Sequence, residues 1–249
     1  MKTKLLMVAA CTLVNAPLAW AEGHAHWGYE GHHGAAHWAE MDESFKTCKL
    51  GKLQSPINIE TRKVAKADLK PIGFAYAAGA AEVVNNGHTI QVNLPAAGSA
   101  NIDGVDYKLL QFHFHTPSEE KIDGKNYPLV AHLVHKSAEG KLAVVAVLFK
   151  QGKENATLKA VFDQLPAKEG ETKALDATLD PAAMLPADQT YYAFMGSLTT
   201  PPCSEDVRWH VLKAPAELST AQIGAFKKLY KMNARPVNPL NGREVKLSQ

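Results

Sequence analysis

The sequence predicts a single domain that is mostly β with a few surface helices, and three observations carry that reading. Short segments rich in Val, Ile, Leu and aromatic residues recur along the chain. Turn signals such as Asn86-Gly87, Asp123-Gly124 and Glu139-Gly140 separate them, and such dipeptides favour the tight turns that join neighbouring strands. Between Phe45 and the C-terminus there is no Gly/Ser linker, low-complexity tract or internal repeat, so nothing divides the 249 residues into smaller units.

In chain order the N-terminus comes first. Lys2 and Lys4 open it, Leu5 to Leu18 is mostly apolar, and Ala19-Trp20-Ala21 supplies small residues for a cut, the layout of a secretory signal peptide. Asn15 and Pro17 interrupt the apolar run, which is too short to span a bilayer, where about 20 apolar residues are needed. The expected organisation is a signal peptide over 1–21 and one domain over 22–249, placed in the periplasm or secreted. Val8-Ala9-Ala10-Cys11 also fits a lipid-attachment signal, with a cut before Cys11 and a membrane tether as the alternative. The segment His24–His37 carries five histidines with Gly and Trp and is irregular by pattern.

Strands are expected at Ala81–Val84, Thr89–Leu94, Tyr107–His115, Val130–His135, Leu142–Leu148, Tyr191–Gly196 and Val207–Leu212, where β-branched and aromatic residues concentrate. Two stretches have helical periodicity instead. These are Asn155–Gln164 and Ser219–Met232; in the second, Thr220 is placed to cap and Ile223, Phe226, Leu229 and Tyr230 recur at helical spacing.

Lys and Arg number 27 against 25 Asp and Glu, a formal charge of +2. Cleavage after Ala21 removes two lysines and brings the charge to zero. No basic block or aromatic-rich basic stripe appears, which argues against a nucleic-acid partner. Cys48 and Cys203 survive cleavage in a chain bound for an oxidising compartment, where disulfides persist. A bridge between them is the simple expectation; two unrelated buried thiols are the alternative.

Gln111-Phe112-His113-Phe114-His115 alternates polar and aromatic residues with period two, which on a strand puts Gln111, His113 and His115 on one face and both phenylalanines on the other. The two imidazoles then lie about 7 Å apart at their Cα atoms, close enough to converge. A third partner is available from Val130-Ala131-His132-Leu133-Val134-His135. On a strand His132 and His135 have opposite parity, so only one of them joins the pair. Three neutral imidazoles and one open position are the donor set of a catalytic zinc site, whereas a structural site is closed by four protein ligands.

Several ordered blocks raise these histidines above chance. Gln54-Ser55-Pro56-Ile57-Asn58-Ile59, Asn85-Asn86-Gly87-His88, Gln111–His115, Ser118-Glu119, Ala131–His135 and Gly196-Ser197-Leu198-Thr199-Thr200-Pro201-Pro202-Cys203 resemble, in the same order, the α-class carbonic anhydrases. His26-Trp27-Gly28-Tyr29 and Arg235-Pro236-Val237 extend the resemblance over nearly the whole mature chain. It implies the α-carbonic anhydrase fold, a central, twisted, mostly antiparallel sheet of about ten strands, with one Zn²⁺ per chain at the foot of a conical cleft. The ligands implied are His113, His115 and His132, with Gln111 supporting them from outside, and His135 on the opposite face. Cys48 and Cys203 match the disulfide of bacterial members.

The activity implied is reversible hydration of carbon dioxide to bicarbonate and a proton, by attack of a zinc-bound hydroxide, with ester hydrolysis as a side activity. Thr199 and Glu119 match the family's hydroxyl–carboxylate relay, which orients the nucleophile, and Thr200 matches the bicarbonate site. Val134, Val144, Leu198, Val207 and Trp209 match the apolar wall that receives CO₂. His88 matches the proton shuttle, a histidine being suited to proton transfer near neutral pH, and Tyr29 and Asn86 match residues that order the intervening water. The resemblance further implies inhibition by sulfonamides and small anions, and a homodimer.

Two departures stand out. Many members carry a glutamate two residues before the third ligand, where this chain has Val130; the outer partner of His132 is therefore expected to be missing or replaced by water, with faster zinc loss. Glu120 stands where a histidine is common, which puts one buried supporting hydrogen bond in doubt. Two other readings stay open at this level. A non-catalytic carbonic-anhydrase-like binding module loses zinc histidines, and a zinc-holding protein would use His24, His26, His32, His33 and His37.

Overall fold

The computed structural model describes residues 26–248; the signal-peptide reading of 1–21, the Cys11 alternative and His24 lie outside the described residues. The seven strands expected from the sequence form the middle of one large sheet. Glu82–Asn85, Ile90–Asn93, Val105–His115, Leu129–Ser137, Leu142–Gln151, Val207–Leu212 and Tyr191–Gly196 lie side by side in that order. Thr172–Ala174 adds to the first, Lys246–Leu247 and then Ala65–Lys66 to the last, and Gly73–Tyr76, Gly98–Ile102 and Ala216–Leu218 bring the sheet to 13 strands. The six additional strands are only two to five residues long and lack a periodic apolar pattern, which is why the sequence picks out seven, while the resemblance implies about ten. Most pairings are antiparallel, but Leu142–Gln151 and Val207–Leu212 run parallel. A separate two-stranded parallel pair joins Asn58–Ile59 to Lys121–Ile122.

The sheet separates two apolar layers. One face packs Phe112, Phe114, Leu133, Val145 and Phe149 against Leu158, Val161 and Phe226 of the helices. The other buries Val130, Val144, Ala146, Leu148, Trp209 and Val211 against Ile57 and Ile59. Strict alternation would put Tyr107 and Leu109 on the same face as His113 and His115. A bulge between Leu109 and Gln111 resets the parity, leaving Leu110 exposed and sending Tyr107 and Leu109 into the layer with Phe112 and Phe114. An extra residue in one strand of an antiparallel pair does this, and it frees the other face for polar side chains.

Both helices form with shorter ends than their periodicity suggested, Ala156–Asp163 and Thr220–Leu229. Asn155 caps the first through Leu158 N–H. The second is capped by Ser219 rather than Thr220: Ser219 Oγ accepts from Gln222 N–H while the Gln222 side chain accepts from Ser219 N–H, a reciprocal capping box.

Two buried histidines outside the cleft give the fold an acid-sensitive component. His135 bonds through Nε2 to the Tyr76 hydroxyl, 2.7 Å away, and burial holds its pKa down at about 4. Burial, then the charge of Arg208, holds His210 at about 4 as well. In the unfolded chain an imidazole titrates near 6.5, so the unfolded state binds more protons between these values and stability falls as pH drops from about 6.5 toward 4. Each group accounts for on the order of 2–3 kcal/mol of that loss by pH 4.5. His210→Gln removes one contribution. Urea denaturation at pH 7.5 and 4.5 should therefore show the variant gaining on the order of 2–3 kcal/mol on the wild type over that interval; parallel pH dependence would show that His210 is not held neutral.

Candidate metal centre

Register places the histidines. His113 pairs directly with His132 across the antiparallel ladder, and His115 sits one step along, opposite Val130. Directly paired residues of two strands point to the same face, so all three imidazoles leave the sheet together. His113, His115 and His132 each present one nitrogen, and the three nitrogens lie within 4.8 Å of one another. The ring centroids are 5.0, 5.5 and 4.8 Å apart. His115 and His132 are buried and His113 is half-buried.

Hydrogen bonds behind the rings determine which nitrogens converge. His113 Nδ1 donates to Gln111 Oε1 at 2.9 Å, and His115 Nδ1 donates to the Asn233 carbonyl at 2.7 Å. Each ring is left with Nε2 as an acceptor, because a neutral imidazole carries one N–H. His132 is turned the other way: Nε2 faces Glu120 Oε2 at 3.2 Å, leaving Nδ1 toward the centre. The expectation that His132 lacks an outer partner is thus overturned. Val130 supplies none, but Glu120 reaches the ring from a different segment.

The electrostatics agree with neutral donors at two of the three positions. Burial, with a further push from His132, takes His113 down to about 3. Burial, then His132 and His113, holds His115 well below the usual imidazole range. At His132 burial acts downward, but the carboxylates of Glu120 and Glu119 outweigh it and the pKa is raised. His115 Nε2 has no hydrogen-bond partner in the protein; three imidazole nitrogens converging from a buried floor are the donor set suited to zinc. The residues present fit the ion.

Glu119 lies beside the triad, with Oε2 3.5 Å from His115 Nε2 and 3.8 Å from His132 Nδ1. Its Oε1 accepts from Arg235 N–H at 2.7 Å. Burial pushes this carboxyl up to about 7, Glu120 adds to the rise, and His132, the Arg235 N–H and the Thr199 side chain pull it down. Thr199 is buried, and its side chain lies close enough to Glu119 to help pull the carboxyl's pKa down.

The loop that carries Thr199 is braced on all sides. Ser55 N–H donates to Ser197 Oγ and Ser197 N–H donates to Ser55 Oγ, at 2.9 and 3.1 Å. Trp209 Nε1 donates to the Ser197 carbonyl, and a Cβ on Gly196 would sit 2.2 Å from Ser55 Oγ, so only glycine allows this approach. Cys48 and Cys203 form a disulfide, and Arg235 spans Cys48 and Ser55 by donating to both carbonyls.

Along the same sheet face Gln111, Val134, Val144 and Trp209 form one row across four strands. Val144, Val207 and Trp209 are buried, with Val134 and Leu198 packed against them, and Thr200 follows Thr199 half-buried. This apolar row lies one pleat step from the row of His113 and His132. His88 is half-buried and stacks on Trp27, with ring centroids 3.7 Å apart and planes 7° apart. Burial, then the neighbouring His26, lowers its pKa, and Glu169 acts the other way. The Asn86 side chain accepts from His88 and Thr89 N–H and so shapes the turn. The Tyr29 hydroxyl is buried without a partner, in the field of Glu119.

Two contributors escaped the sequence reading. Asn233 accepts from His115 and donates from Nδ2 to the His88 carbonyl at 3.1 Å; it lies in an irregular stretch with no pattern to single it out. Glu120 was read as a disturbance. Among the described residues His113, His115 and His132 form the one group of three or more such side chains placed to share an ion; the His26 ring lies 5.7 Å from His33 and 6.3 Å from His88, and His32 lies 6.1 Å from His37.

The fold and this centre place the chain in the eukaryotic-type carbonic anhydrase family, lyases that hydrate carbon dioxide; the family model matches residues 33–249. Within that family the chain is similar to bacterial enzymes. A carbonic anhydrase of Klebsiella pneumoniae is 45% identical, over 98% of this chain and 99% of the relative, and one of Pectobacterium carotovorum is 42% identical, over 98% of each. The α-carbonic anhydrase of Thermovibrio ammonificans, solved in complex with the inhibitor sulfanilamide, superimposes with a TM-score of 0.88 at 47% identity, covering 90% of this chain and all of that one. Among the described residues no helix is long and apolar enough to cross a membrane.

Proposed function

We propose that this chain hydrates carbon dioxide reversibly to bicarbonate and a proton with one Zn²⁺ held by His113, His115 and His132, in the periplasm or outside the cell after removal of residues 1–21. The observation that carries the reading is the convergence of three imidazole nitrogens within 4.8 Å beside a buried Glu119. When bound, zinc supplies a Lewis acid that brings the pKa of a water from 15.7 to about 7, making a nucleophile available at neutral pH.

The chain's own residues do the rest. A hydroxyl has one proton, and in this reading Thr199, whose side chain neighbours Glu119, gives its proton to that carboxylate. Its oxygen can therefore only accept, which selects a nucleophile with a proton to give and turns that nucleophile's lone pair outward. Carbon dioxide has no dipole, so the apolar surface of Val134, Val144, Leu198, Val207 and Trp209 receives it without polarising it. Thr200 adjoins that surface and offers a hydroxyl to bicarbonate. His88 takes the released proton toward solvent, with Tyr29 and Asn86 ordering the water between. Inhibition by sulfonamides and small anions, slow ester hydrolysis and assembly as a homodimer belong to the same reading.

Stopped-flow CO₂ hydration tests it, using mature protein before and after zinc removal by chelator. Activity should vanish with the metal and return with one equivalent of zinc; zinc-loaded protein that leaves the hydration rate unchanged overturns the proposal. In the same assay His88→Ala should slow turnover in weak buffer by on the order of 10²-fold, the low end for a positioned acid–base group, and added imidazole should restore it. Equal rates for variant and wild type in weak buffer remove His88 from the pathway.

A further inference from the structure

We propose that Glu120 is the residue that orients the third zinc ligand in this chain, a carboxylate supplied by the loop before the Leu129–Ser137 strand in place of one on the strand itself. The inference rests on the zinc reading above and deepens it. Glu120 is fully buried, and its Oε2 lies 3.2 Å from His132 Nε2. No Lys or Arg forms an ion pair with it among the described residues. A buried carboxyl needs a hydrogen-bond partner; Oε1 has none in the protein, and the His132 ring is the partner that Oε2 faces.

The site leaves this task to no one else. Val130, two residues before His132, is buried among Val144, Ala146 and Leu148 and has no acceptor. The other two ligands lean on neutral oxygens, Gln111 Oε1 and the Asn233 carbonyl. Glu119 approaches His132 from the Nδ1 side, at 3.8 Å, and could not hold a proton on Nε2. Glu120 alone determines that the proton sits on Nε2 and that Nδ1 is the nitrogen turned to the metal.

The backbone around it is built to hold this position. Ser118 Oγ donates to the Glu120 carbonyl at 2.8 Å while accepting from Tyr127 N–H at 2.9 Å. The next residue, Lys121, pairs with Asn58 in the parallel two-stranded piece. A carboxylate at 120 and a small apolar residue at 130 therefore act as one exchange: the charge has moved from strand to loop, and the vacated space is filled by a valine.

Three proteins test the exchange: Glu120→Gln, which keeps shape and loses charge, Glu120→His/Val130→Glu, which returns the carboxylate to the strand, and wild type. Zinc affinity is read by competition with a chromophoric chelator, and the ring N–H of His132 by ¹⁵N-edited NMR of metal-loaded protein. Glu120→Gln should lose about 10–100-fold in zinc affinity and shift or lose the ring N–H resonance. The double variant should recover affinity to within about three-fold of wild type. Glu120→Gln that binds zinc as wild type does, with the resonance in place, overturns the inference. If Glu120→Gln fails to fold, the double variant decides, since failure to recover affinity also overturns it. Wild type that binds no zinc at all would instead remove the parent reading, so the two failures are distinguishable.

Discussion

Replacing His113 with alanine is expected to abolish tight zinc binding and to lower CO₂ hydration by at least about 10³-fold, a loss of some 4 kcal/mol of transition-state stabilisation. Three imidazoles form the whole protein share of the site, and the remaining two cannot close a tetrahedral set around the ion. The fold should survive the change. His113 sits half-buried at the mouth of the triad, and its imidazole is held neutral, at about 3. At pH 8 and above the ring is neutral in both the folded and unfolded states, so removing it changes no protonation equilibrium there. Below pH 6.5 the wild type loses more stability than the variant, by the share that comes from protonation of the unfolded His113 ring. Metal analysis, stopped-flow kinetics and melting of the metal-free proteins separate these effects. A variant that keeps one tightly bound zinc, or stays within ten-fold of wild-type activity, would sink the assignment of His113 as a ligand.

Reduction of the Cys48–Cys203 bridge, which is buried with Trp38 and Phe45, is expected to cause a large loss of stability. The bridge joins residues 155 apart, and closing so long a loop restricts the unfolded chain by up to about 5 kcal/mol at 25 °C on the chain-entropy account. Native packing holds the two ends together independently of the sulfur bond, because Arg235 donates to the Cys48 carbonyl and Gln54 Nε2 donates to the Cys203 carbonyl at 2.8 and 3.1 Å. The Cys48→Ser/Cys203→Ser protein should therefore fold, with a denaturant midpoint reduced by an amount equivalent to about 3–5 kcal/mol. Because Cys203 N–H bonds to the Thr200 carbonyl, the loop that carries Thr199 should loosen before the rest. Hydrogen exchange read residue by residue would show faster opening at 198–204 than in the sheet centre; a uniform change would mean the bridge acts only through the unfolded state.

The strands and the metal-ligand face were legible because both are local properties. Period-two alternation in Gln111–His115 says which side chains share a face, whatever the strand later packs against. The opposite parities of His132 and His135 narrowed the third partner to one of two; pairing of His113 with His132 and of Leu109 with His135 is what separates them in space. Other features had no local signature. The bulge at Leu110 depends on how Val105–His115 must fit two neighbours at once, and Asn233 meets His115 across 118 residues of chain.

Glu120 and Val130 mark the boundary most clearly. Taken one position at a time, each reads as a missing support, since local sequence can show only that an expected group is absent from its usual place. By itself the sequence determined the β architecture, the His113 and His115 pair and the cysteine pair, because these follow from alternation, turn chemistry and residue type acting over short stretches, while the choice of His132 over His135 came from the family resemblance. Only the tertiary structure decided that the lost carboxylate at one position is restored from another, that the Thr199 loop is braced by Ser55 and Arg235, and that His88 lies against Trp27. Each of those is a meeting in space between segments that share no spacing rule, and it is settled by which surfaces pack together.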